Sequence, residues 1–345
     1  LMSIGVAVIG AGMAGRGHAA AYRAATSLYG SDLPDVKLIS IGDVNAQFGL
    51  AAAKRFGFER HDSDWRAIAD DPNIHAVSVV VANSLHREIV EGLLAAGKHV
   101  LCEKPLSDTL DDARSMVAAA KASDKVARIG LTFLRNPAIA AIQQIITSGQ
   151  LGKVLHFTGN YWADYSCDPM SPISWRYKGG MGTGALADVG SHISYVAEFI
   201  TGQTFKSVSG ARFVTSITER PVPSGAVQGH SGATVSDKMD IVENDDYAGF
   251  IADFGGVAGA IQVSRVAAGH PTSLEFEVYC EKGAARFTQA RNGEFELLLN
   301  EDPYGQRGFR TVQVGPAHPY ISGGLPVDAP GVGVGQNDQF FFQNR

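Results

Sequence analysis

The chain has 345 residues, of which 45% are hydrophobic and 19% are charged, a balance typical of a globular protein with a substantial core. A chain of this length favours two domains. The net charge of -6 and the lack of any run of Lys and Arg exclude a basic footprint for nucleic acid.

The apolar stretch Ile4 to Gly12 is too short to cross a bilayer and lacks the flanking features of a signal peptide. The three cysteines are widely spaced and odd in number, which favours reduced thiols over a disulfide framework. We therefore expect a cytoplasmic protein with no membrane partner and no nucleic-acid partner.

Residues 1–130 alternate short β-branched runs with helical stretches, the pattern of a parallel sheet covered by helices. We predict a doubly wound Rossmann domain here. Its strands are Ile4–Ile9, Val36–Ile41, Ala76–Val81, His99–Cys102 and Val126–Gly130, and its helices are Met13–Ala25, Ala46–Phe56, His86–Ala96 and Leu110–Ser123.

Residues 131–345 carry longer strand candidates and predict an α+β domain with a large, mostly antiparallel open sheet. Gly255-Gly256 separates two of these strands and favours a tight hairpin turn. One helix, Thr183–Ile200, interrupts the strands, and the stretch Pro316–Gly335 indicates a long loop. The strands are His156–Trp162, Lys206–Val214, Tyr247–Phe254, Val257–Arg265 and Leu274–Cys280.

Gly10-Ala11-Gly12-Met13-Ala14-Gly15 follows the first strand and opens the first helix, which is the context of a dinucleotide-binding fingerprint. Gly10 allows a tight turn, Gly12 lets the backbone approach a pyrophosphate, and Gly15 permits close helix packing. The helix N-terminus offers N–H groups to the anion. The alternative is a glycine-rich turn without a ligand.

Asp43 ends the second strand, where a carboxylate can accept hydrogen bonds from the ribose hydroxyls and repel a 2′-phosphate. The neighbours Val44 and Asn45 bring no cation for that phosphate. We therefore expect NAD rather than NADP, unless Asp43 is an ordinary surface residue.

Two further motifs carry chemistry. Glu103-Lys104-Pro105 follows a strand at the carboxyl edge of the sheet, where a Lys can favour a developing alkoxide. Asp188 and His192 stand four apart on a predicted helix, so a carboxylate can orient a histidine that accepts a hydroxyl proton. Each motif can instead be structural, and the second can be a pair of metal ligands, although we predict no metal site.

Together these motifs resemble the glucose–fructose oxidoreductase and inositol dehydrogenase family, Gfo/Idh/MocA. The resemblance rests on Gly10–Gly15, on Asn83 with His86, on Glu103-Lys104-Pro105, and on the stretch from Gly179 to His192. One departure is Ala82, where the family often has Pro before the Asn, and we expect the chain to stop short of the family's terminal helix and strand.

The resemblance implies an NAD-dependent oxidoreductase in which Lys104, Asp188 and His192 form the catalytic set, with His192 or Lys104 as the proton acceptor. It implies a homodimer or homotetramer formed through the open sheet. The implied cofactor-binding residues are Gly10, Gly12, Met13, Ala14, Gly15, Asp43, Ala82, Asn83, His86, Glu103, Lys104, Trp175 and Arg176. The implied substrate-binding residues are Lys104, Arg135, Tyr161, Tyr165, Asp168, Arg176, Asp188 and His192.

Within the family, the stretches Trp162–Pro169, Ser171–Arg176, Arg307–Arg310 and Gly315–Tyr320 resemble members that act on a pyranose or an anhydrosugar. Aromatic faces can pack on the C–H face of a sugar while Arg and Asp hydrogen-bond its hydroxyls. We expect oxidation of a secondary alcohol to a keto sugar. Two alternatives stay open: an NAD-dependent glycoside hydrolase that oxidises its sugar transiently, and a non-catalytic NAD-binding regulator.

Overall fold

The computed structural model describes residues 3–27, 33–225, 234–321, 334 and 338–344. Contacts divide the chain into two units. The first contains the described residues up to Arg135 together with 320, 321 and 338–344, and the second contains Asn136–Pro319 and Val334. The sequence places a single boundary after residue 130, whereas the observed break follows Arg135 and the C-terminal helix belongs to the first unit.

The first unit is built on a six-stranded parallel sheet of order β3-β2-β1-β4-β5-β6. Its order reverses between β1 and β4, the point at which doubly wound sheets bind ligands outside the carboxyl ends of their strands. The predicted Rossmann fold is confirmed. The strands are β1 Ile4–Ile9, β2 Val36–Gly42, β3 Arg60–Asp62, β4 Ala76–Val79, β5 His99–Glu103 and β6 Ala127–Gly130.

Helices cover this sheet, and apolar clusters fill the space between sheet and helices. Polar caps fix two helix starts. Asn45 accepts hydrogen bonds from the backbone N–H groups of Gln47 and Phe48, and Thr109 accepts one from Asp112. The helices of this unit are α1 Met13–Ala24, α2 Ala46–Phe56, α3 Trp65–Asp70, α4 His86–Ala95, α5 Leu110–Ala122 and, after the second unit, α8 Asp338–Asn344.

The second unit contains an eight-stranded sheet of order β16-β15-β14-β13-β7-β12-β11-β8, in which only β7 and β12 pair in parallel. The expected large, mostly antiparallel sheet is confirmed. A separate antiparallel pair joins β9 and β10. The strands are β7 Val154–Trp162, β8 Ser207–Val214, β9 Glu219–Pro223, β10 Val235–Ile241, β11 Tyr247–Asp253, β12 Ala258–Ser264, β13 Ser273–Cys280, β14 Gly283–Thr288, β15 Glu294–Leu299 and β16 Arg310–Gln313.

Helices α6 Pro137–Thr147 and α7 Ser191–Thr201 pack on the apolar face of this sheet. Burial alternates along β13, where Phe276 and Val278 face the helices and Glu275 and Glu277 face away. Gly255 and Gly256 form the predicted turn between β11 and β12, with φ angles of 84° and 100° that favour glycine.

The predicted helix Thr183–Ile200 differs from the structure at its start. Leu186–Gly190 form a π-helical turn, and α7 follows from Ser191. The backbone N–H groups of Gly182, Gly184 and Leu186 bond to the side chain of Asp245, which holds the stretch before the π-helical turn as a loop. Most of the predicted loop Pro316–Gly335 lies outside the described residues. Over the described ranges, no helix is long and apolar enough to span a membrane.

Candidate active site

The glycine fingerprint forms the turn between β1 and α1. Gly10 has a φ of 109°, and a Cβ there would lie 2.0 Å from the carbonyl oxygen of Val80. A Cβ on Gly15 would lie 1.8 Å from the carbonyl oxygen of Gly10. Both positions therefore require glycine for backbone packing.

Gly12 differs, since a Cβ at this residue would meet no atom within 4 Å among those described. Gly12 is the N-cap of α1, and none of the described side chains caps the helix there. First-turn N–H groups of α1 can therefore donate to an anion that approaches across Gly12. This geometry fits the pyrophosphate of a dinucleotide, and Met13 and Ala14 form the first turn beside it.

The half-buried Asp43 lies just after β2 and binds the fingerprint loop. Its Oδ2 accepts a hydrogen bond from the backbone N–H of Ala11 at 2.8 Å, and its Oδ1 accepts one from Asn45 at 2.8 Å. A carboxylate has about four lone-pair sites, so both oxygens keep capacity for ribose hydroxyls. The position fits the role that the sequence predicts.

Ala82 and Asn83 lie after β4, where Asn83–Leu85 form a short 3-10 turn. His86 begins α4 and is fully buried. Its Nε2 lies 3.1 Å from the carbonyl oxygen of Val81, and its Nδ1 lies 3.1 Å from those of Pro105 and Leu106. The His86 ring therefore links these two segments from within the core, and its predicted contact with a cofactor stays a prediction.

Glu103, the last residue of β5, is also buried, with 8% of its surface exposed. Its Oε1 accepts hydrogen bonds from His18 and Gln343, and its Oε2 accepts one from the backbone N–H of Lys104. Burial raises the pKa of Glu103, but the hydrogen bonds from His18 and Gln343 outweigh it and lower the pKa overall. Glu103 therefore supports the Lys104 turn, and its predicted contact with a cofactor stays a prediction.

Asp188 and His192 lie on either side of the junction between the π-helical turn and α7. The Oδ2 of Asp188 accepts a hydrogen bond from the hydroxyl of Tyr165 at 2.6 Å. The Nδ1 of the buried His192 lies 2.6 Å from the hydroxyl of Tyr195, and its ring stacks on Tyr161 with centroids 5.7 Å apart. The sequence assigns ring orientation to Asp188, and the structure shows Tyr195 at Nδ1.

Asp188 also affects the two tyrosines. Burial, with the Asp188 charge, raises the pKa of Tyr161 to about 12 and that of Tyr165 well above its ordinary value. Both hydroxyls therefore stay protonated near neutral pH and can donate hydrogen bonds. Tyr161 bonds to Thr272 at 2.7 Å.

A cluster that sequence reasoning missed supports this part of the second unit. The buried Asp245 accepts backbone N–H bonds from Gly182, Gly184 and Leu186 at 2.7, 3.2 and 2.9 Å. These bonds fix the loop that leads into the π-helical turn. The signal in the sequence is the run of three polar residues, Asn244-Asp245-Asp246, directly before an apolar strand.

Arg265 extends the cluster. It forms a fully buried ion pair with Asp246 at 2.8 Å and donates to the Oδ1 of Asn244 at 2.7 Å and to the carbonyl of Arg176 at 3.0 Å. Such an ion pair holds its geometry because its remaining donors and acceptors are satisfied. The Trp175–Tyr177 turn is thereby fixed in the second unit.

The remaining predicted residues have different surroundings. Trp175 is 56% exposed, with the Arg176 guanidinium 4.4 Å from its ring centroid. Asp168 lies in an exposed turn and accepts a bond from the N–H of Met170. Arg135 belongs to the first unit, 5.3 Å from the ring of Tyr320. Within the described part of the chain, no group of three His, Cys, Asp or Glu could hold a metal ion.

Comparisons with known proteins cover nearly the whole chain. Residues 4–131 match the model of an oxidoreductase family with an NAD-binding Rossmann fold, and residues 139–286 match the GFO/IDH/MocA C-terminal domain. The chain is 36% identical to levoglucosan dehydrogenase from Pseudarthrobacter phenanthrenivorans, over 97% of this chain and 86% of the relative.

Solved structures agree with these matches. A levoglucosan dehydrogenase in complex with NADH and levoglucosan is 34% identical, with a TM-score of 0.88 over 99% of this chain and 88% of that one. An oxidoreductase domain protein from Kribbella flavida is 31% identical, with a TM-score of 0.88 and the same coverage. Both domains of the chain therefore have relatives in the same arrangement along the sequence.

Proposed function

The chain belongs to the Gfo/Idh/MocA family of oxidoreductases, and on that premise we propose that it is an NAD-dependent dehydrogenase of a pyranose or anhydrosugar resembling levoglucosan. It oxidises a secondary alcohol carbon of the sugar to a ketone. The observation that carries the proposal is the cluster in which Tyr165 binds Asp188 and Tyr195 binds His192, since it gathers a carboxylate, an imidazole and hydroxyl donors.

The substrate class is supported by the relatives. The similarity to a protein named levoglucosan dehydrogenase extends over 97% of the chain, and a similar solved structure contains levoglucosan itself. The aromatic rings of Tyr161 and Tyr165 suit the apolar C–H face of a sugar. The phenol of Tyr165 and the carboxylate of Asp188 suit its hydroxyls.

Bound NAD supplies the hydride acceptor. The Gly10–Gly15 turn and Asp43 would hold its pyrophosphate and ribose. The further candidates for cofactor contacts are Ala82, Asn83, His86, Glu103, Lys104, Trp175 and Arg176. Lys104 contributes a positive charge that favours the developing alkoxide, and either Lys104 or His192 accepts the hydroxyl proton. Asp188, which accepts the hydroxyl of Tyr165, is the third member of the proposed catalytic set, while Arg135, Asp168 and Arg176 are candidates for binding the sugar hydroxyls.

The decisive experiment follows NADH formation across a panel of levoglucosan, pyranoses, inositols and aldonic acids. We expect turnover on levoglucosan or a related pyranose, and a loss of about 10² to 10⁴ in rate for both Lys104→Ala and His192→Ala, because each removes a positioned acid–base group. NAD binding by both variants should persist, since the fingerprint and Asp43 are unchanged.

Two outcomes would contradict the proposal. Cleavage of a glycoside without net NADH would favour the hydrolase, and NAD binding without turnover of any panel member would favour the regulator. If His192→Ala kept more than about half of the wild-type turnover, a loss far below the acid–base range, its catalytic role would be wrong.

We also propose a homodimer or homotetramer that forms through the open face of the large sheet, and a cytoplasmic location. The oligomer is supported by one sheet face that carries helices and an opposite face that carries Glu275, Glu277 and Arg286. The location is supported by three free cysteines, of which Cys102 and Cys280 are buried.

A further inference from the structure

A chain of buried hydrogen bonds runs behind Lys104 in the first unit and ends on helix α8. The Tyr22 hydroxyl lies 2.8 Å from the Oγ of Ser78, which lies 3.1 Å from the Nδ1 of His18. The Nε2 of His18 lies 3.0 Å from the Oε1 of Glu103, and Gln343 donates to the same oxygen at 2.9 Å. All five residues are more than nine-tenths buried.

The direction of this chain follows from the chemistry of its members. An ionised carboxylate only accepts hydrogen bonds, so the Nε2 of His18 and the amide of Gln343 must both donate to Glu103. In the neutral ring, Nδ1 of His18 is then an acceptor for the Ser78 hydroxyl or for the Asn344 amide at 3.0 Å. The low pKa of Glu103 agrees, because these donors stabilise its charged form.

The same carboxylate reaches Lys104. Its second oxygen accepts the backbone N–H of Lys104 at 3.2 Å, so the donors on Oε1 fix the carboxylate that fixes the Lys104 turn. Gln343 is the one of these donors that comes from the far end of the sequence. A displacement of α8 would therefore change the position of Lys104 through two hydrogen bonds, one from Gln343 to Glu103 and one from the backbone of Lys104 to Glu103.

Two glycines make room for this arrangement. A Cβ on Gly17 of α1 would lie 2.6 Å from the ring of Phe340, which seats α8 on α1. A Cβ on Gly130 would lie 2.4 Å from the Oε1 of Glu103 and 3.1 Å from the amide nitrogen of Gln343. The contact between α8 and Glu103 thus depends on small residues at both sites.

We propose that Gln343, acting through Glu103, is a positioning residue for Lys104, so that the C-terminal helix α8 takes part in organising the active site. The proposal deepens the dehydrogenase function proposed above and rests on it for the catalytic role of Lys104.

The same helix offers a matched control. Gln339 lies one turn before Gln343 and is equally buried, at 6% against 3% exposed, but its amide nitrogen has no hydrogen-bond partner among the described residues. Gln343→Leu and Gln339→Leu therefore make the same chemical change on one helix, and only the first removes a donor to Glu103.

We expect Gln343→Leu to lower kcat by about fivefold to tenfold, since one hydrogen bond to a charged group is lost, with NAD affinity unchanged. Gln339→Leu should keep the wild-type kcat. Competitive amine labelling without substrate, read by mass spectrometry, should show an altered labelling rate of Lys104 relative to the other lysines in Gln343→Leu and in Glu103→Gln, and the wild-type rate in Gln339→Leu.

Equal effects of the two leucine variants on both kcat and Lys104 labelling would overturn the proposal. Gln343→Asn, whose shorter amide cannot reach Glu103, replaces Gln343→Leu if that variant does not fold. If the protein turns over no sugar, the proposed function fails, and the labelling comparison still decides whether Gln343 positions Lys104.

Discussion

At the scale of single residues, the carboxylate of Asp43 binds the fingerprint loop and is also positioned to bind the ribose of the expected cofactor. It accepts the N–H of Ala11 inside the fingerprint and the N–H of Asn45 at the start of α2. Its negative charge lies where a 2′-phosphate of NADP would have to approach, which is the physical basis for a preference between the two nucleotides.

Asp43→Ala should weaken NAD binding by roughly 10- to 100-fold, because charge-assisted bonds to the ribose are lost, and should weaken NADP binding less. Titration of both nucleotides measures this. Asp64→Ala removes a carboxylate that caps α3 and serves as the control. Equal or tighter binding of NADP by the wild-type protein would disprove the preference.

Tyr195 is the partner of the His192 ring, and this contact has a measurable consequence. Tyr195→Phe should lower kcat by about fivefold to tenfold, since the ring loses the hydrogen bond that fixes Nδ1. The KM for NAD should stay constant. Tyr247→Phe, which removes a hydroxyl bonded to Gln262, is the control. A wild-type kcat in Tyr195→Phe would show that the ring is oriented by other contacts.

At the scale of elements, Asp245 organises the loop from Gly179 to Leu186. Asp245→Ala should lower the free energy of unfolding by about 2–4 kcal/mol, because three backbone N–H groups in or near the core lose their acceptor. Urea unfolding measures the change. Asp253 binds two N–H groups in an exposed turn, and Asp253→Ala should cost about 1 kcal/mol or less, since water replaces the acceptor. If the two variants lost the same free energy of unfolding, burial would not explain the stabilising effect of Asp245.

Most of the parallel sheet was predictable because its strands are apolar runs next to amphipathic helices, whereas β3, Arg60–Asp62, is short and polar and was missed. The bounds of β1 and α2 agree with the sequence prediction at both ends. Helix α6 was missed although Asn136 and Pro137 are a good start signal, and its first six residues, Pro137–Ile142, are all buried. Strands β9, β10 and β14 to β16 were also missed.

The candidate site was predictable only in part. Sequence spacing located the fingerprint, Asp43 and the Asp188–His192 pair, because these residues are close along the chain or follow a strand. The partners Tyr195, Asp245 and Gln343 depend on tertiary contacts. Burial of His86 and Glu103 likewise depends on packing, so their supporting roles could not be separated from ligand contacts by sequence alone.

At the scale of the whole molecule, the open face of the large sheet has a direct test. Ala260 lies at its centre on β12, between Thr158 of β7 and Ile251 of β11. Ala260→Arg should reduce the mass in light scattering to that of a monomer, because a long charged side chain blocks a facing surface. Ala118→Arg, on the exposed side of α5, should leave the mass unchanged. A monomer mass for the wild-type protein at micromolar concentration would disprove the oligomer.

Because of the π-helical turn at Leu186–Gly190, the geometry of the site depends on the number of residues in this segment. Each π-type hydrogen bond spans one residue more than an α-helical bond, so this turn contains an inserted residue relative to a regular helix. Deletion of one residue between Asp188 and His192 would change the direction of the carboxylate around the helix axis relative to Tyr165. The number of residues between Asp188 and His192 is therefore as much a part of the site as their chemical identity.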